Sequence, residues 1–135
     1  FKGETPEPRP GLRSGHIPGS VSLPATELLE PSNVARFKPE AELRAVLERA
    51  GCIAAKGAAG QASTRDGGGD ASDTPARVFT TCGSGVTAAI VTLAIAQCSP
   101  PGDGAHRLGP LYDGSWSEWG ACSDVPISNP SSLAN

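Results

Sequence analysis

One stretch of this chain repeats apolar positions with the helical period. In residues 38–51, KPEAELRAVLERAG, the side chains Leu43, Val46, Leu47 and Ala50 fall at i, i+3, i+4 and i+7, which predicts an amphipathic helix. Pro39 suits the first helical position, Glu40 the first turn, and Gly51 a left-handed stop. Residues 85–97, GVTAAIVTLAIAQ, are apolar nearly all round, which predicts a helix buried against a sheet.

Short β-branched or apolar runs predict strands at 20–24 (SVSLP), 77–81 (RVFTT) and 110–114 (PLYDG). Residues 25–30, ATELLE, read as a helical turn or two. SWSEWG opens a terminal helix, with Ser115 and Glu118 three apart as a capping box. Residues 1–20 are dense in proline and glycine and read as an irregular loop, as does the segment after Cys98. Residues 54–75 are small, polar and glycine-rich and read as a flexible insertion within one domain spanning 1–135. Residues 124–135 read as a loose tail. Strands alternating with helices predict an α/β domain with a mostly parallel sheet.

Composition narrows the function classes. With 135 residues, a formal net charge of −3 and no basic tract, nothing invites nucleic acid. No apolar run reaches the ~18 residues a membrane span requires, so no membrane partner is expected. Cys52, Cys82, Cys98 and Cys122 form no CxxC pair and only two histidines accompany them, so neither a metal site nor a cofactor is expected. Their wide spacing suits a reducing compartment better than a disulfide framework.

The chemistry concentrates in RVFTTCGSGVT. Cys82 falls between the end of a strand and the start of a helix, where parallel α/β folds hold ligands. If GSGV wraps around it, successive amides form an anion nest, with Gly83 and Gly85 supplying left-handed backbone and the helix its positive end. All three effects favour thiolate, the nucleophilic form. The bland reading is a small buried hydrophobe. It stands for Cys52, Cys98 and Cys122, which lack such loops. A phosphatase-type cradle is disfavoured, because the arginine it needs at the sixth position is Ala88. A P-loop is disfavoured because no GK[ST] follows the glycines.

Three segments carry a family resemblance. CGSGVT (82–87), PEPRPGLRSGHIPGSVSLP (6–24) and LYDGSWSEWG (111–120) resemble the rhodanese sulfurtransferase family, and within it the 3-mercaptopyruvate type. The resemblance implies a three-layer α/β/α domain with a mostly parallel sheet, here without its first strand. This chain would then be the C-terminal catalytic part of a longer enzyme with an upstream rhodanese-like domain. It implies that Cys82 takes a sulfane sulfur from 3-mercaptopyruvate or thiosulfate as a persulfide and passes it to a thiol, such as thioredoxin, or to cyanide. An intracellular setting, mitochondrial or cytoplasmic, goes with it. Ser84 matches the family serine that assists proton transfer. Arg9 matches a carboxylate-binding arginine, and Gly83, Gly85, Val86 and Thr87 would line the substrate side of the loop. His16 matches a structural position, Asp113 looks like a loop brace, and Trp116 and Trp119 read as packing residues. Arg13 has no matching role and reads as solvent-exposed. The alternative is a non-catalytic rhodanese-like module that binds a partner.

Overall fold

The computed structural model describes residues 1–53, 78–99 and 109–129. The expected insertion at 54–75 and the end of the expected tail lie outside the described residues. A 3-10 turn at Ala25–Glu27 leads into a hairpin of β1 (Leu29–Glu30) and β2 (Asn33–Phe37). Helices α1 (Glu40–Arg49), α2 (Val86–Cys98) and α3 (Ser115–Trp119) follow.

The two amphipathic readings become α1 and α2. Leu43, Val46 and Leu47 are the buried face of α1. Gly51 ends it as expected, at φ +72°. Its N–H donates to the Glu48 carbonyl at 3.0 Å and that of Cys52 to Leu47 at 2.9 Å, the paired bonds of a Schellman stop. Leu28, Leu43, Val46 and Leu47 pack with Ala94, Ile95 and Cys98 of α2 into one core, against which Leu23, Phe37, Cys52, Ile53, Val78 and Val91 lie. The Arg44 guanidinium of α1 donates to the Cys98 carbonyl, closing the C-terminal end of α2 with a cation.

Several expectations change. Residues 25–30 are helical only through Glu27; Pro31 disfavours helical backbone at Glu30, and the chain turns into β1 instead. β1 pairs antiparallel with β2, a hairpin absent from the sequence reading. Residues 20–24 form no strand, since Pro18 and Pro24 remove ladder donors on either side and Val21 is 58% exposed. The expected mostly parallel sheet is reduced, among the described residues, to one parallel bridge between Thr80 and Leu111. α2 is buried on one side only. Ala88, Thr92, Ala94, Ile95 and Cys98 face the core, whereas Val86 and Leu93 are exposed, because only α1 and the 3-10 turn pack substantially against it among the described elements.

The beginning of the supposed loose tail is also tied down. Ser128 and His16 exchange backbone hydrogen bonds at 2.8 and 2.9 Å, and the Trp119 indole N–H donates to the Pro126 carbonyl at 2.8 Å. Among the described residues no helix is long and apolar enough to cross a membrane, and no group of histidine, cysteine and carboxylate side chains could hold a metal ion.

The division of α2 into a packed and an open side sets two expected stabilities. Leu47→Ala removes a wholly buried side chain and is expected to cost about 2–5 kcal/mol in urea unfolding. Leu93→Ala, on the open side, is expected to stay within about 0.5 kcal/mol of the parent chain.

Candidate active site around Cys82

Thr80 delivers the chain to the site. Its N–H donates to the Pro110 carbonyl at 3.0 Å and its carbonyl accepts from Tyr112 at 2.9 Å. Its buried hydroxyl lies 2.6 Å from that of Thr92, which also donates to the Ala88 carbonyl at 3.2 Å. The segment carrying Cys82 is thereby fastened to α2 on one side and to residues 110–112 on the other.

Beyond Thr81 the backbone curls over the head of α2. Gly85, the residue before the helix, has φ +84°, and a Cβ there would lie 2.9 Å from the Asp113 carboxylate and 3.0 Å from its carbonyl. Conformation and close approach both require glycine at that point. Gly83 is not in the left-handed region; it is small where the Arg9 guanidinium passes, 3.4 Å from a would-be Cβ. The expectation of two left-handed glycines therefore holds for Gly85 alone.

The half-buried Cys82 sulfur accepts hydrogen bonds from the Thr87 hydroxyl and from the Ser84, Ala88 and Thr87 amides. Two of these amides belong to the first turn of α2, where backbone N–H groups have no partner within the helix. Burial pushes the thiol up, but the donors outweigh it, and the Cys82 pKa comes down to about 7. Burial alone pushes Cys52 up, and it dominates at Cys98, which also rises. The cup thus separates one cysteine from the two in or beside the core.

A second set of contacts supports the loop from behind. The Trp116 N–H donates to the Cys82 carbonyl and the Ser117 N–H to the Gly83 carbonyl, both at 3.0 Å. Ser115, wholly buried and at φ +49°, accepts from the Cys82 N–H at 3.2 Å and donates to the Tyr112 carbonyl at 2.8 Å. Its hydroxyl therefore does not cap α3, and Glu118 takes the Tyr112 hydroxyl at 2.6 Å instead of closing a capping box. Arg9 donates from Nη1 to the Gly83 carbonyl at 2.8 Å and to the Ser117 hydroxyl at 2.9 Å, while its Nε pairs with Glu7 at 2.6 Å. That bond holds the Glu7 carboxyl below its ordinary range.

No protein-family model matches the chain. The 3-mercaptopyruvate sulfurtransferase of Escherichia coli K12 is 40% identical over 94% of this chain, which spans 35% of that relative. The human 3-mercaptopyruvate sulfurtransferase is 34% identical over 88% of the chain and 31% of its own length. Among solved structures, the Tum1 protein of Saccharomyces cerevisiae superposes with a TM-score of 0.62 at 29% identity, covering 96% of this chain and 36% of that one. The chain belongs to the rhodanese-like sulfurtransferase family. It spans about a third of the length of these relatives.

Within this chain the structure gathers Cys82, Gly83, Ser84, Gly85, Thr87 and Arg9 at one place. Val86 turns outward and is 73% exposed, so its side chain is no part of the cup. Arg13, expected in solvent, is instead a clamp. Its guanidinium donates to the carbonyls of Gly120 at 3.3 Å, Val125 and Trp119 at 3.1 Å, and Cys122. Its own carbonyl accepts from the Trp116 indole at 2.9 Å. His16 stacks on Phe1 with ring centroids 4.0 Å apart, and its Nδ1 lies 2.9 Å from the Phe1 carbonyl oxygen. Glu7, Ser115 and Ser117 were missed by sequence reasoning. All three lie inside the motif segments quoted for the resemblance, but Ser115 carried the competing signal of a helix cap.

Because the thiolate is the reactive form, Cys82 alkylation is expected to rise with pH through a midpoint near 7 and then level off. The midpoints for Cys52 and Cys98 should lie well above it. Iodoacetamide labelling resolved by peptide mass measures this. Thr87→Val keeps the side-chain shape but removes a donor, and should lower Cys82 labelling at pH 7 by about threefold.

Proposed function

We propose that this chain is the sulfur-carrying part of a 3-mercaptopyruvate sulfurtransferase, with Cys82 as the nucleophile. The observation that carries the reading is the ring of donors around the Cys82 sulfur, with the thiol brought down to about 7. The names of the relatives supply the substrate class.

The Cys82 thiolate attacks the sulfur of 3-mercaptopyruvate. An S–S bond forms, the C–S bond breaks, and the departing enolate takes a proton to become pyruvate. A thiolate acceptor, such as reduced thioredoxin, then attacks the outer sulfur of the Cys82 persulfide. The S–S bond breaks and the Cys82 thiolate returns to the cup. Cyanide would attack the outer sulfur in the same way, with the S–S bond breaking, and leave as thiocyanate. The amides and the Thr87 hydroxyl stabilise the anionic sulfur at the start and end of each cycle. Ser84, exposed in the loop beside Cys82, would deliver the proton that the enolate takes.

The loop residues Gly83 and Ser84 are neutral, which suits a donor with one carboxylate better than a dianion such as thiosulfate. Arg9 stands beside the loop as the cation that would receive this carboxylate. The parallel Thr80–Leu111 bridge supports a further reading, that these segments belong to a three-layer domain with a mostly parallel sheet, and the about threefold greater length of the relatives supports a longer protein with a second rhodanese-like domain. The word mitochondrial in the name of an Arabidopsis thaliana relative supports an intracellular setting, mitochondrial or cytoplasmic.

Incubation with 3-mercaptopyruvate is expected to add one sulfur atom to the chain, seen by intact mass, and to release pyruvate. Cys82→Ser is expected to abolish both. An adduct that persists on the variant would overturn the assignment. Labelling of Cys82 by iodoacetamide without any sulfur uptake would favour a binding module that has lost turnover.

A further inference from the structure

The Gly83 carbonyl accepts three donors at once: the Ser117 N–H at 3.0 Å, the Ser117 hydroxyl at 2.7 Å and Arg9 Nη1 at 2.8 Å. One carbonyl oxygen has two lone pairs, so this is a crowded acceptor. The same peptide unit carries the Ser84 N–H, one of the donors to the Cys82 sulfur. In a planar trans peptide the C=O and N–H point in opposite directions. Donors that hold the oxygen against α3 therefore aim the amide toward the sulfur. They also draw electron density toward the oxygen, which strengthens the N–H as a donor, as in any chain of hydrogen bonds.

We propose that Ser117 is a positioning residue for the Cys82 sulfur, acting with Arg9 through the Gly83–Ser84 peptide, which its hydroxyl and N–H hold and polarise from the side opposite the cup. Arg9 thereby has a task besides meeting a substrate carboxylate: its Nη1 belongs to the back of the loop and its Nε to Glu7. The inference rests on Cys82 as the reactive cysteine of the proposed function, but needs no sulfur donor to be examined.

Ser117 is exposed, so Ser117→Ala removes one donor without opening the core. The test is the pH profile of iodoacetamide labelling at Cys82, resolved by peptide mass, on the 135-residue chain. Ser117→Ala is expected to move the midpoint upward and to slow labelling at about pH 6.5 by about twofold to threefold, with little change on the alkaline plateau. Ser117→Thr, which keeps the hydroxyl, is expected to restore the parent midpoint. Arg9→Lys, which keeps the charge but loses the fork, is expected to move it upward as well.

An unchanged midpoint in both Ser117→Ala and Arg9→Lys would overturn the inference. So would an equal loss of rate at every pH, which marks altered access rather than a weaker anion, or a shift in Ser117→Thr as large as in Ser117→Ala. Sulfur loading from 3-mercaptopyruvate is read separately. A shifted midpoint on a chain that never takes up sulfur keeps this inference and removes the sulfurtransferase reading.

Discussion

The Cys82 sulfur, placed over the first turn of α2, answers two needs at once. The helix begins with amides that its own geometry leaves without acceptors, and a thiolate is an anion that needs donors when it leaves bulk water. The Cys82 sulfur takes the Thr87 and Ala88 amides and the Thr87 hydroxyl, and the loop adds the Ser84 amide. Gly85 is the hinge of this arrangement. Its left-handed φ bends the chain back over the helix, and its missing side chain lets Asp113 approach from the other side.

The loop has two working faces, and each limits the other. Its front points amides at sulfur. Its back points the Cys82 and Gly83 carbonyls at residues 116–117 and Arg9. Five donors and acceptors from Ser115, Trp116, Ser117 and Arg9 thus orient a segment that contains no regular structure. Those residues are in turn held by contacts further out. Arg13 gathers the carbonyls that follow α3, and the Trp116 indole returns to the Arg13 carbonyl. The proline-rich N-terminal segment and the segment after α3 therefore act as scaffolding for the cup, even though neither contributes to the aliphatic core.

That core is small and lies between α1 and α2, with the hairpin and the 3-10 turn beside it. It leaves Val86 and Leu93 of α2 exposed, and Phe79 beside the active segment is 66% exposed. The side of α2 that meets α1 carries most of the burial, and the C-terminal end of α2 is secured to α1 by Arg44. Nearer the head of α2, beside Cys82, the Thr80–Thr92 contact ties the helix to the segment that carries the loop.

What could be read along the chain was local. The period of Leu43, Val46 and Leu47 and the stop at Gly51 define α1 without reference to any neighbour. The CGSGVT loop before an apolar run announces a thiol at a helix head, because turn chemistry and helix ends depend on a few adjacent residues. Contacts between residues about a hundred positions apart decided the rest. Arg13 looked like a solvent charge until the carbonyls of 119–125 came beside it, and Ser115 looked like a cap until Cys82 offered its N–H. Strand pairing at 20–24 and around Thr80, and the open side of α2, likewise depended on which neighbours were in reach. The sequence by itself determined α1, α2 and the glycine loop that sets Cys82 at the head of α2, since these follow from nearby backbone preferences. Only the tertiary structure decided which polar groups brace the loop, because hydrogen-bond partners distant along the chain become definite only when folding brings them together.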